Sequence, residues 1–191
     1  MDISQSISGD GATAGPAMAT PISWPIPGLA FAPSLADPAA ACDRAEAHAR
    51  GGRGEWALAF FRALAIDPRC PTALLPRVAS GLSALGDHAT ALDASREAAR
   101  REPGRPEALF GVAYAMKRLG YPAELAIPIA DRAVEIDPGF LPARALLASL
   151  LVEAGRRDDA ADLIQDAPSC PTVGACQIGR MLLLFSAPSP A

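Results

Sequence analysis

From Asp37 to about residue 167, apolar residues recur at the spacing of amphipathic helices, and glycine and proline punctuate them at regular intervals. Glycines that follow a helical run fall at Gly51, Gly86, Gly120 and Gly155, spaced by 35, 34 and 35 residues. Helix-ending prolines fall at Pro68, Pro103 and Pro138, spaced by 35 and 35. One helix fits between each glycine and the next proline, and another between each proline and the next glycine. The predicted unit is helix, tight turn, helix, stop, with a period of about 34 residues. The stop is written alike in "RALAIDPRCP" at 62–71 and "RAVEIDPGFLP" at 132–142, and more weakly in "REAARREPGRP" at 96–106.

Each mark has a physical reason. Glycine after the first helix takes the left-handed conformation that reverses the chain. Proline lacks an N–H and restricts the residue before it, so Asp-Pro ends the second helix. Small residues in mid-helix let the two helices approach closely. One such hairpin cannot bury its apolar face alone, so neighbours must stack. Two irregularities stand out. Gly120 to Pro138 is one residue longer than Gly86 to Pro103, and a kink or bulge at Pro128 is expected to absorb the excess. Pro76 lies near the start of a helix predicted over about 71–85, where a missing N–H costs little.

The pattern resembles the tetratricopeptide repeat. "LSALGDHATALDASREAARREP" places Gly86, Ala91, Ala98 and Pro103 at that family's turn glycine, small residues and closing proline. Gly120, Ala133 and Pro138 fall likewise, as do Gly51, Phe60, Ala63 and Pro68, with Trp56 where a small residue is usual. Ala148, Gly155 and Ala160 begin a fourth unit that "QDAPSCP" cuts short. The resemblance implies an all-α fold: a right-handed superhelical solenoid of about 3–4 stacked antiparallel helix hairpins over 38–167.

The flanks read differently. Residues 1–37 carry Pro16, Pro21, Pro25, Pro27 and Pro33 among Gly, Ser and Ala, and are expected to form an irregular, disordered tail. Within it Trp24, Ile26, Leu29 and Phe31 are apolar enough to dock on the array or on a partner. Residues 168–191 contain the apolar run Met181 to Phe185, expected to cap the last hairpin or to lie at an interface. No stretch reaches the length of a membrane span, and the first residues lack the positive start of a secretory signal, so a cytoplasmic protein is expected.

Composition narrows the function. A net charge of -4 and a pI near 5.2 argue against a nucleic-acid partner. Cys42, Cys70, Cys170 and Cys176 form no C-x-x-C pair and read as buried free thiols, with neither a disulfide framework nor a metal site expected. His48, in the polar run "DRAEAHARGG", reads as a surface residue, and His88 as packing or solvent-facing. No phosphate loop, dinucleotide fingerprint or H-E-x-x-H motif is present, so no catalytic residue and no cofactor are assigned.

The resemblance implies instead a non-catalytic protein-interaction scaffold, holding a peptide or protein segment against the first helix of each pair. Carried onto this chain, the inward positions include Arg77, Ser80, Phe110, Tyr114, Lys117 and Arg118. Pro142, Ala145, Leu146, Ser149, Val152 and Glu153 are their counterparts in the last unit. Arg77, Lys117 and Arg118 would make the groove basic, with Phe110 and Tyr114 as apolar anchors. Alternatively, Lys117 and Arg118 solvate a helix end and Tyr114 packs in the core. The chain has no asparagine, which excludes the carboxylate clamp of the chaperone-binding members. Two other roles remain open: an accessory or detached repeat module of a glycosyl- or sulfo-transferase-type enzyme system, and a self-assembling scaffold.

Overall fold

A computed structural model of the chain describes residues 36–165. Among them eight α-helices succeed one another in pairs. The pairs are α1 (Pro38–Arg50) with α2 (Gly54–Ile66), α3 (Leu75–Ala84) with α4 (His88–Arg101), α5 (Pro106–Arg118) with α6 (Ala123–Ile136), and α7 (Leu141–Glu153) with α8 (Arg157–Gln165). A 3₁₀ turn, Thr72–Leu74, leads into α3, so the helix expected over 71–85 begins as a tighter coil, with Pro76 in the first turn of α3. The hairpins stack in order. First helices pack side by side, α1 on α3, α3 on α5 and α5 on α7, while among second helices α2 packs on α4. The fold is the all-α solenoid of paired helices that the repeat pattern implies.

The four turns are chemically the same. Gly52, Gly86, Gly120 and Gly155 all have positive φ, between 73° and 86°. In each, the glycine N–H donates three residues back, to Ala49, Ser83, Lys117 or Val152. The next N–H donates five residues back, from Arg53 to His48, Asp87 to Leu82, Tyr121 to Met116 and Arg156 to Leu151. That pair of bonds satisfies the last carbonyls of the helix. The first turn glycine is therefore Gly52 and not Gly51, whose φ is -82°. Shifting the register by one also removes the anomaly at Trp56. Ala57, wholly buried, occupies the small position there, and Trp56 lies half-buried beside His48.

With that register the alanines align. Seven residues before each turn glycine stand Ala45, Ala79, Ala113 and Ala148, and shortly after it stand Ala57, Ala91, Ala126 and Ala160, none more than 3% exposed. Each hairpin thus closes through alanine on both helices. Elsewhere a glycine serves the same end: a Cβ on Gly81 would lie 2.3 Å from the Phe61 ring, which fills that space.

The stops also share one geometry. The carbonyls of Asp67, Glu102 and Asp137 accept from the N–H of Cys70, Arg105 and Phe140, at 3.0, 3.1 and 3.0 Å. Proline in the second place of such a turn has its φ preset. Asp67 and Asp137 add a side-chain bond to the N–H two residues on, both 2.9 Å. The extra residue of the third unit is taken up elsewhere than expected. α4 and α6 both have 14 residues, and the excess lies in the turn, where Pro122 precedes α6. Pro128 sits inside an unbroken α6 on its exposed side, so water can satisfy the carbonyl it leaves unbonded.

The buried residues form two clusters. One joins α1, α2, α3 and α4 with Ala108 of α5, and the other joins α5 to α8 with Leu92 of α4. Cys42 and Cys70 are buried free thiols in the first, and burial pushes both up from the usual thiol range. The readings made for residues 1–35 and 166–191, including Trp24, Cys170, Cys176 and Met181 to Phe185, lie outside the described residues.

Asp87 ties successive units together. Its carboxylate accepts from Thr90 N at 3.2 Å and Thr90 Oγ1 at 2.9 Å, capping α4, and from Arg62 Nε of α2 at 2.6 Å. Burial alone would raise its pKa, but the bonds from Arg62 and Thr90 outweigh it and hold the carboxyl below its ordinary value. A depressed folded pKa contributes stability above the unfolded value, near ~4, which is lost as pH falls through the folded value. Asp87→Ala should therefore cost about 1–2 kcal/mol at pH 7 by urea denaturation. The gap from wild type should hold down to pH ~5 and shrink below pH ~4. A gap that does not change with pH contradicts the assignment.

Candidate peptide-binding groove

First helices pack on one another along the whole array, so their outer side forms a grooved face. Two adjoining clefts mark it. The larger, about 450 Å³, runs between α3 and α5 and is lined by Pro76, Arg77, Ala79, Ser80, Ser83 and Ala84, then by Ser95, Glu107, Phe110, Gly111, Tyr114 and Phe140. The smaller, about 290 Å³, lies between α1 and α3 and shares Arg77, Ser80 and Ala84 with the first. α3 is the ridge common to both.

The aromatic wall is continuous. The rings of Phe110 and Tyr114, one turn apart on α5, stack with centroids 5.8 Å apart. Phe140, from the turn before α7, meets Phe110 edge-on at 5.5 Å. All three are half-buried. Behind them the two core clusters meet: a Cβ on Gly111 would come within 2.5 Å of Ser95 Oγ, so α4 and α5 touch there through a glycine and a serine. Ser95 Oγ is buried without a hydrogen-bond partner, a cost accepted at this junction.

The charges are matched. Arg77 reaches from α3 to α1, donating to Asp43 at 2.9 Å and to Glu46 at 2.8 and 3.1 Å. The hydrogen bonds it donates to Asp43 and Glu46 raise its already high pKa further. Glu107, at the rim, lies 3.6 Å from Arg105. Lys117 spans from α5 to α7, bonding Ser149 Oγ at 2.6 Å and the Glu153 carboxylate. Arg118 is exposed at the end of α5.

Of the six positions singled out from sequence, the structure gathers Arg77, Ser80, Phe110 and Tyr114 around one cavity. Lys117 and Arg118 fall outside its lining, and the expected basic face is largely neutralised by carboxylates of neighbouring first helices. In the last unit Ala145 and Leu146 are buried in the core, because α7 is covered on nearly every side. Ser95 and Phe140 were missed, since one belongs to a second helix and the other to a stop. Phe140 was legible as the single aromatic after "IDPG". The histidines serve packing. His48 stacks on Phe60 at 5.7 Å and lies 5.8 Å from Trp56, so it is not the surface residue expected, and His88 is half-buried. Among the described residues no three potential metal ligands converge, and no helix is long and apolar enough to cross a membrane.

Residues 123–170 match the sequence family described as tetratricopeptide repeat. The fold is shared with several solved structures at low identity. The protein TTC0263 of Thermus thermophilus, a thermophilic tetratricopeptide-repeat protein, superimposes with a TM-score of 0.61 at 20% identity, over 78% of this chain and 83% of that one. A double mutant of MamA does so with 0.57 at 20%, over 70% and 75%. Another MamA crystal structure gives 0.58 at 16%, over 69% and 76%. No curated protein sequence matches this chain.

The ion pairs of Arg77 are water-exposed, and exposed pairs contribute little. Arg77→Met, which keeps the apolar stem, should change the unfolding free energy by less than about 1 kcal/mol in urea. A loss of several would mean that ion pairs, not apolar contact, hold α1 to α3.

Proposed function

Because residues 123–170 carry a tetratricopeptide repeat and the array around them has that fold, we propose that this protein is a non-catalytic scaffold that binds a segment of another protein along its first-helix groove. The observation that carries the reading is the paired cleft on α3. A solenoid whose core is made largely of alanine has little reason to leave three aromatic rings half-exposed around an open cavity of about 450 Å³. Partly exposed aromatic residues beside arginine are what high-value interface contacts are made of.

Arg77, Ser80, Phe110 and Tyr114 form the contact surface in this reading, with Lys117 and Arg118 flanking it. A catalytic role has little support in the groups present. The thiols of Cys42 and Cys70 are buried with raised pKa values, which keeps them protonated and poor nucleophiles. His48 is held between aromatic rings rather than beside a nucleophile. The proposed setting is the cytoplasm.

Affinity purification of the tagged protein from its natural host, compared with a Phe110→Ala/Tyr114→Ala variant, tests the reading. The double variant should melt within about 5 °C of wild type and lose the co-purifying partner, since such anchors each contribute about 2 kcal/mol or more. Undiminished recovery of every partner by a folded variant would show that the groove is not the binding surface.

A further inference from the structure

We propose that the groove recognises an uncharged, proline-rich segment in the polyproline II conformation. The proposal rests on the scaffold reading above and specifies its ligand. Three properties of the cleft point the same way.

The first is charge. Of the two charged residues lining the larger cleft, Arg77 hydrogen-bonds two carboxylates, and Glu107 lies 3.6 Å from Arg105, which itself bonds Glu102 at 2.7 Å. An acidic peptide, or a terminal carboxylate, would have to draw Arg77 away from Asp43 and Glu46. A basic one would find a single carboxylate in the lining, Glu107, with Arg105 beside it. A neutral segment displaces none of these partners.

The second is the polarity of what is left. Ser80, Ser83 and Tyr114 line the cleft, and among the described residues none of their side-chain hydroxyls makes a hydrogen bond. A hydroxyl can donate, and a proline-rich chain offers carbonyl acceptors with few N–H donors of its own. Its backbone makes no internal hydrogen bonds, so those carbonyls are available.

The third is shape. Phe110, Tyr114 and Phe140 present a stacked and edge-on aromatic wall facing Pro76, Ala79 and Ala84 across the cleft. Proline-rich segments dock against aromatic-lined grooves of this kind, with little ordering entropy to lose because the conformation is preformed. Neighbouring first helices lie about 9 Å apart. The face from α1 to α5 therefore spans roughly 18 Å, which about six residues of polyproline II cover at 3.1 Å each.

The test is fluorescence polarisation on the full chain with three labelled, end-blocked twelve-residue peptides: a Pro-Ala-Pro repeat, a Glu-Ala-Glu repeat and a Gly-Ser repeat. The proline peptide should bind at least about tenfold tighter than either of the others, and its affinity should change less than about twofold between 50 and 500 mM NaCl. Tyr114→Phe, which removes only the hydroxyl, should weaken it about fivefold, consistent with one lost hydrogen bond. Thermal melts of each variant establish that it is folded.

Preference for the acidic peptide, equal binding of the Gly-Ser peptide, or no response to Tyr114→Phe overturns the proposal. A dimer of the chain that Tyr114→Phe dissociates also overturns it, by giving the groove to a second copy. A random-peptide display selection on the same protein separates this from failure of the scaffold reading. Selected peptides that lack proline but are lost with the groove-filling variant Ser80→Trp overturn only the ligand assignment. Selected peptides indifferent to Ser80→Trp overturn both.

Discussion

Close approach of paired helices through alanine is the constraint on which the rest of this structure depends. Ala45, Ala79, Ala113 and Ala148 on the first helices, and Ala57, Ala91, Ala126 and Ala160 on the second, are all within 3% of full burial. Alanine buries little apolar area, so no single contact contributes much. Repetition supplies what size does not: hairpins stack, and larger side chains such as Phe61, Leu64, Leu82 and Leu150 interlock in the spaces between them. The turn glycines and the Asp-Pro stops then follow as conditions for the alanines to meet in register. The turn must reverse the chain within two or three residues, and the stop must release it toward the next unit.

The same economy shapes the groove. Where the two core clusters meet, α4 and α5 touch through Ser95 and Gly111. Phe110, Tyr114 and Phe140 line the cleft there. Charged groups are bonded across units: Arg77 reaches from α3 to α1, Arg62 from α2 to the turn before α4, and Lys117 from α5 to α7. The result is an aromatic and hydroxyl-bearing cleft in which Arg77 already bonds two carboxylates.

Much of this was legible in the sequence because the repeat writes itself in residues with few conformational options. Glycine and proline marked the turns and stops at Gly86, Gly120, Gly155, Pro68, Pro103 and Pro138. Where two glycines are adjacent, at 51 and 52, spacing alone chose the wrong one, and the error made Trp56 look out of place. The extra residue near Pro128 was located to the right unit but not to the turn, because an exposed proline in a helix is tolerated more readily than the pattern suggests. The cleft-lining positions of α3 and α5 followed from helical periodicity. The partners of Arg77 and Lys117 did not, since an ion pair across 31 to 36 residues depends on how neighbouring units stack. Ser95 and Phe140 enter the groove from a second helix and a stop, positions that the first-helix pattern does not cover.

Urea denaturation of Ala113→Leu beside Ala89→Leu tests the alanine constraint most directly. Ala113 is fully buried between helices, whereas Ala89 is exposed on α4. The account predicts a loss of about 2–3 kcal/mol for the buried substitution and less than about 0.5 kcal/mol for the exposed one. Equal tolerance at both positions would show that close helix approach through alanine is not what holds the array together.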